Sequence, residues 1–192
     1  MSFTVRAMYS DGPVTIRPYR SDDIGALFEA VRESVYQISP WLDWCHADYS
    51  RSDSETWVSS REAAWRRRED YSFVIVDRAT QRFLGGCGLN EINDTHGFAN
   101  LGYWVRSSCT GRGVATAAAG LVARFGLQQR GLKRIEIVAA VDNTASQRVA
   151  EKVGARREGV LRRRLMIHGR LQDAVLYSLI PADLDGIGSR PG

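Results

Sequence analysis

The sequence predicts a single α/β domain, a mixed and mostly antiparallel β-sheet flanked by helices. Three observations predict it. Residues 71–105 read as three consecutive strands joined by turn residues, two helical apolar patterns precede them, and helix and strand segments alternate after them. At 192 residues the chain is long enough for one sizeable core without disulfide or metal staples.

Each element has its own signal. VTIRPY (14–19) alternates as a half-buried strand does. SDDIGALFEAVRESVYQI (21–38) places Ile24, Leu27, Phe28, Val31 and Val35 on one helical face, with Ser21 available as N-cap. An aromatic-rich loop (39–55) leads to a second helix over about 54–69, with Trp57, Val58, Ala64 and Trp65 apolar. YSFVIVD, RFLGGCGLNEI and FANLGYWV form an antiparallel meander whose turns are RATQ and NDTHG. A glycine loop, a helix over 114–130 and a strand at 133–140 follow. Next come a short helix from Thr144 to Val153 stopped by Gly154, and two strands around a His168-Gly169 turn. The expected order is β α α β β β α β α β β. Residues 1–12 are expected to be an extension, 13–181 the domain and 182–192 a tail.

Bulk properties exclude several classes. No window reaches the apolar length of a membrane span, and the first residues lack a signal-peptide core. Cys45, Cys87 and Cys109 are widely spaced without a CxxC pair, which speaks against a disulfide framework or zinc site and for a reducing cytoplasm. No metal is expected. The net charge is +4, concentrated at Arg66–Arg68 and Arg162–Arg164. Such runs are solvated faces or a rim that steers an acidic partner. Direct nucleic-acid binding is not expected.

The stretch SSCTGRGVATAAAGLVARFG (107–126) carries the chemistry. Glycines lie immediately before an alanine-rich helix whose first turn has no acid. A helix N-terminus exposes unpaired N–H groups and partial positive charge, and so attracts phosphate. Neither GxxxxGK[ST] nor GxGxxG fits the spacing. A bare strand-to-helix turn is the alternative reading.

Thr110-Gly111-Arg112-Gly113-Val114-Ala115 resembles the Q/R-x-x-G-x-G/A pyrophosphate loop of the GNAT superfamily of acyl-CoA-dependent N-acetyltransferases, with Thr110 departing from Gln or Arg. PWLDW (40–44), Asn100-Leu-Gly-Tyr-Trp, Asp142-Asn143 with Ser146, Val153-Gly154-Ala155, Glu158-Gly159-Val160-Leu161 and Asp173-Ala-Val-Leu-Tyr177 extend the resemblance to its bacterial ribosomal-protein N-terminal acetyltransferase subgroup. The resemblance implies a fold with a splayed central strand pair and acetyl-CoA as co-substrate, with a homodimer within the family's range. It implies pyrophosphate on the amides of Gly111, Arg112, Gly113, Val114, Ala115 and Thr116, and pantetheine along Trp104 and Val105. It further implies Asn143 as a pantetheine contact, Ser146 as proton donor to the leaving thiolate, and transfer to the amine without a covalent enzyme intermediate. Asn143 also suits a plain helix cap, and Ser146 a solvent-facing first turn. Trp41, Trp44, Asn100 and Asp173 are carried over to the acceptor side, although the tryptophans suit a core equally and Asp173 a hairpin buttress.

One departure stands out. Relatives that acetylate serine N-termini have a glutamate several residues after the Glu-Gly pair, whereas here Arg162, Arg163 and Arg164 follow Glu158-Gly159. Glu91 is taken as the base, with Asp94, His96 and Asp173 as further candidates. An α-amine has a pKa near 8 and a lysine about 10.4, so deprotonation at pH 7 costs about 1.4 and about 4.6 kcal/mol. A weak positioned base therefore favours an α-amine, such as a ribosomal-protein N-terminus, as acceptor. Small amines or larger acyl groups such as succinyl are the alternatives within the enzyme class. A CoA-fold binding module without catalysis is the alternative outside it.

Overall fold

The computed structural model describes residues 8–186. A hairpin of β1 (Tyr9–Asp11) and β2 (Val14–Pro18) leads to α1 (Asp23–Ile38) and α2 (Arg51–Arg67). The meander is β3 (Tyr71–Asp77), β4 (Phe83–Asn93) and β5 (Phe98–Val105); then come α3 (Val114–Arg124), β6 (Arg134–Ala140), α4 (Thr144–Lys152), β7 (Arg156–Ile167) and β8 (Arg170–Leu179). They form one sheet in the order β1-β2-β3-β4-β5-β6-β8-β7. Every neighbouring pair is antiparallel except β5 with β6, which is parallel.

The strand period assigns the two faces. Val74 and Val76 face α1 and α2, packing with Leu27, Val31, Val35 and Val58. Phe73 and Ile75 point the other way, into a larger core with Leu89, Leu101, Ile135, Ile137 and the α3 residues Ala118 and Val122. The α1 stripe expected from periodicity is the one buried: Leu27, Val31 and Val35 are in the core, and Ile24 and Phe28 pack against it.

Four expectations need correction. Residues 9–11, expected within an extension, are the edge strand β1, paired with β2. At the other end Pro181–Gly186 form a 3₁₀ turn whose Leu184 packs on the core, so the expected boundary at 181 falls inside ordered structure. The rest of the expected extension and tail, 1–7 and 187–192, lies outside the described residues. Ser21 does not cap α1. Instead the Asp23 carboxylate accepts both Arg17 guanidinium nitrogens at 2.7 Å and the Arg20 N–H at 2.7 Å. The second helix starts three residues early, because Ser50 and Asp53 form a reciprocal capping box.

The helix after the glycine loop leaves α geometry at Arg124 and closes with a π-helical turn, Phe125–Gln129. Gly126 lies there against the side chains of Ile135, Leu89 and Leu132, where a Cβ would come within 2.8 Å of an Ile135 methyl. That contact seats the end of α3 on the sheet.

Arg17 and Asp23 side chains are only 12% and 6% exposed, so their bidentate pair ties β2 to the start of α1 in a poorly solvated place. Removing one member leaves the other's charge uncompensated. Asp23→Ala is expected to destabilise the fold by about 3 to 5 kcal/mol, measured by urea unfolding.

Candidate active site

β5 and β6 pair only over Phe98–Asn100 with Arg134–Glu136, and then part. From there β5 continues on β4 as far as Val105 opposite Gly85, and β6 continues on β8 as far as Ala140 opposite Ala174. The facing edges of Leu101–Val105 and Ile137–Ala140 are thus left without each other. A cavity of about 1170 Å³ occupies this gap and is lined by both edges, by the glycine loop, by α4 and by the α1–α2 loop.

At one end of the cavity is the start of α3. Gly111 and Gly113 sit at φ +74° and +75°, the left-handed region in which L side chains are strained. Gly113 is the helix N-cap without a side-chain cap, and the first amides of α3 have no partner within the helix. No acid occupies the first turn. Gly111, Gly113, Val114, Ala115 and Thr116 line the cavity, while Arg112, expected in the same set, is exposed and does not. Two cations of α4, Arg148 and Lys152, complete the lining with Asn143 and Ser146.

One contact ties β5 to α4 beside the gap. The Tyr103 hydroxyl on β5 lies 2.9 Å from the Ser146 carbonyl oxygen, to which it donates, and 3.0 Å from Ser146 Oγ. Burial pushes the Tyr103 phenol up to about 12, with the Ser146 contact pulling the other way. Asn143 Oδ1 accepts the Ser146 N–H at 3.0 Å, the N-cap geometry its position suggested. Ser146 faces Tyr103 rather than solvent. Tyr103 was not singled out from sequence; its period on β5 opposite Trp104 was the available signal.

The other end is aromatic. Trp41, Trp44 and Trp57 all line it, with Tyr19 and Tyr49. Trp44 packs edge-on against Trp104 and Tyr49, and Trp57 against Tyr19. Tyr19 is partly buried, and desolvation raises its phenol against the lowering influence of the neighbouring Trp57 indole. Gly102 adds no side chain, and nothing lies within 4 Å of where its Cβ would be. Asn100 lines the floor: its Nδ2 donates to Asn90 Oδ1 at 2.8 Å, and its own Oδ1 is buried without a partner. The tip of the β7–β8 hairpin closes the loop over this end. The His168 N–H donates to Asp43 Oδ1 at 2.6 Å, and His168 Nε2 lies 2.9 Å from the Ser39 carbonyl.

Other expected site residues lie elsewhere. Glu91 falls on a β-bulge of β4 with φ +48°, its carboxylate on Arg164 at 3.0 Å and its side chain 60% exposed, outside the cavity lining. Asp173 also lies outside, accepting the Arg163 N–H at 2.7 Å across the bulged β7–β8 hairpin. The bulges turn both carboxylates away from the gap, a consequence of local twist that residue spacing does not reveal. Asp94 and His96 stay in the β4–β5 turn, where the His96 N–H bonds Asn93 Oδ1. Glu158 is taken up by Arg134 at 2.6 Å on each oxygen and by Ser178 Oγ, and the Arg134 guanidinium first of all lowers it to about 2. The described residues hold no metal-ligating group of three, and none of their helices is long and apolar enough to cross a membrane.

A thioester on a long arm ending in phosphates fits these donors: glycine-lined amides and two cations at one end, an unpaired strand edge in the middle, a hydroxyl pair beside it. Comparison with known proteins agrees. Residues 14–156 match the acetyltransferase (GNAT) domain model. The chain belongs to the GNAT family. It is accordingly an N-acetyltransferase. Among similar GNAT relatives, YdaF of Bacillus subtilis is 28% identical over 177 residues, covering 90% of this chain and 94% of that protein. The ribosomal-protein-serine acetyltransferase of Escherichia coli is 26% identical, covering 86% and 96%. Of solved structures, Mycobacterium smegmatis RimJ in complex with CoA-disulfide superposes with a TM-score of 0.81 at 28% identity, covering 89% of this chain and 83% of that one.

Gly113 has open space around its missing Cβ, so its replacement costs backbone strain alone. Gly113→Ala is expected to lose about 1 to 2 kcal/mol of stability in urea unfolding. The same variant should bind CoA more weakly by calorimetry.

Proposed function

We propose that this GNAT enzyme transfers an acetyl group from acetyl-CoA directly to the α-amine of a protein N-terminus, in the cytoplasm. The observation that carries the reading is the Tyr103–Ser146 pair joining β5 to α4, because it puts two hydroxyl groups in the lining of the cavity that opens between the strand edges. Bound acetyl-CoA supplies an activated acyl group on a thiolate leaving group.

The chain's own residues have the following roles in this reading. The amides of Gly111 and of Gly113 to Thr116 hold the pyrophosphate, where backbone donors and the helix dipole favour anions. Arg112 adds a cation at the rim. The β5 edge at Trp104 and Val105 pairs with the pantetheine arm, and Asn143 orients the start of α4 beside it. Ser146 donates its proton to the departing thiolate, and Tyr103, whose hydroxyl donates to the Ser146 carbonyl oxygen, holds the serine in place. A phenol raised to about 12 keeps its proton through the working pH range, so Tyr103 acts as a neutral donor. Trp41, Trp44 and Asn100 line the acceptor end.

Three points support an N-terminal acceptor: the aromatic slot is open to solvent at Trp44, which is 43% exposed; the E. coli relative is named for a ribosomal-protein serine; and an α-amine needs the least help in losing its proton.

Thiol release from acetyl-CoA tests this against peptides with free serine or alanine N-termini, N-blocked lysine peptides and polyamines. Turnover is expected on the free N-termini, reduced about 100-fold by Ser146→Ala and about tenfold by Tyr103→Phe. Unchanged turnover in Ser146→Ala overturns the proton-donor role. Preference for internal lysines overturns the acceptor assignment.

A further inference from the structure

The expected base positions all point away from the reacting gap, yet the cavity has a carboxylate of its own. Among the described residues four charged side chains line it: Arg148 and Lys152 on α4, and Asp53 and Asp70 at the aromatic end. Asp53 is engaged in capping α2, with Oδ2 accepting the Ser50 N–H and hydroxyl. Asp70 is not a helix cap. It sits between α2 and β3 beside Ser72, and both residues line the slot.

The surroundings of Asp70 make it a receptor rather than a plain ion pair. Its side chain is 19% exposed. Burial is the foremost influence on the carboxyl and raises its pKa, against the lowering effects of Ser72 and Arg61. Arg61 Nη1 approaches Asp70 Oδ1 at 3.3 Å, and the Ser72 hydroxyl donates to the same oxygen. The Ser72 backbone N–H is a further influence on the carboxylate and acts in the same lowering direction. Arg61 does not line the cavity; it lies behind, its guanidinium 3.6 Å over the Trp57 ring and its nitrogens bonded to the Trp57 carbonyl and Ser60 hydroxyl. A cation entering the slot therefore meets the carboxylate and not its counter-ion. A partly dry carboxylate in the lining of the slot discriminates strongly between a charged amine and a neutral isostere, since charge interactions strengthen as water is excluded.

We infer that Asp70, with Ser72 beside it, is the subsite that receives the acceptor's ammonium group and sets the enzyme's preference for a cationic amine. Asp70 thereby supplies a carboxylate at the acceptor end, where the segment after Glu158 supplies none. This deepens the acceptor reading above and rests on it.

The test uses full-length enzyme, an eight-residue peptide with a free serine N-terminus, and the des-amino peptide carrying 3-hydroxypropanoyl in its place. Wild-type enzyme, Asp70→Asn and Asp70→Glu are compared. For Asp70→Asn the KM of the amine peptide is expected to rise at least tenfold. Inhibition by the des-amino peptide and the KM for acetyl-CoA should each stay within twofold, and Asp70→Glu should retain most of the preference. A loss that falls equally on both peptides means that Asp70 only shapes the slot, and overturns the proposal. So does an unchanged amine KM. Should wild-type enzyme acetylate only lysine or polyamine probes, the N-terminal reading fails on its own. The same comparison, run with that amine and its hydroxyl analogue, then supports or overturns Asp70 by the same criterion.

Discussion

Three backbone pairs, Phe98–Asn100 with Arg134–Glu136, make up the β5–β6 ladder that joins the two halves of the sheet. A parallel pair that continued would fill its own hydrogen bonds and leave no cleft. Here each strand is drawn off by a stronger antiparallel neighbour, β5 by β4 and β6 by β8, so the pair opens as a wedge. The unpaired β5 edge is normally a liability that folds cover or charge. In this molecule it faces a cavity lined by α4, and the Tyr103–Ser146 contact ties β5 to that helix. Acyl donor, hydroxyl pair and acceptor slot all depend on that parting.

The electrostatics of the cleft run along its length. One end offers glycine-lined amides, a helix N-terminus and the cations Arg148 and Lys152; the other carries Asp53 and Asp70 among aromatic rings. An anionic donor and a cationic acceptor would therefore enter from opposite ends without crossing like charge. The arginines that give the chain its net charge take little part in this. Arg134 is spent on Glu136 and Glu158, Arg164 on Glu91, and Arg17 on Asp23, all ties within the fold.

The missing glutamate becomes intelligible at the same level. The segment after Glu158 belongs to β7, whose register against β8 is broken twice, and there the backbone of Arg163, at φ +53°, is held by Asp173. That bulge has a structural task. The carboxylates that line the slot, Asp53 and Asp70, come from α2 and the α2–β3 junction, parts of the chain with no motif to mark them.

Much of this protein was legible in the residue order. Period-2 and period-3.6 patterns are set by neighbours in sequence, so the meander, α1 and the strand–loop–helix unit at 98–124 were foreseen, along with the Asn143 cap. What depends on distant segments was not. The start of α1 has no side-chain cap; it is tied down instead by Arg17, on another element, which reaches Asp23. Glu91 and Asp173 looked like site residues until bulges turned them outward, while Tyr103 and Asp70 looked ordinary until the sheet set them against α4 and the aromatic loop. Local periodicity and turn chemistry are properties of a dozen consecutive residues. The direction in which a carboxylate points across a twisted, splayed sheet is decided only when strands far apart in sequence choose their partners.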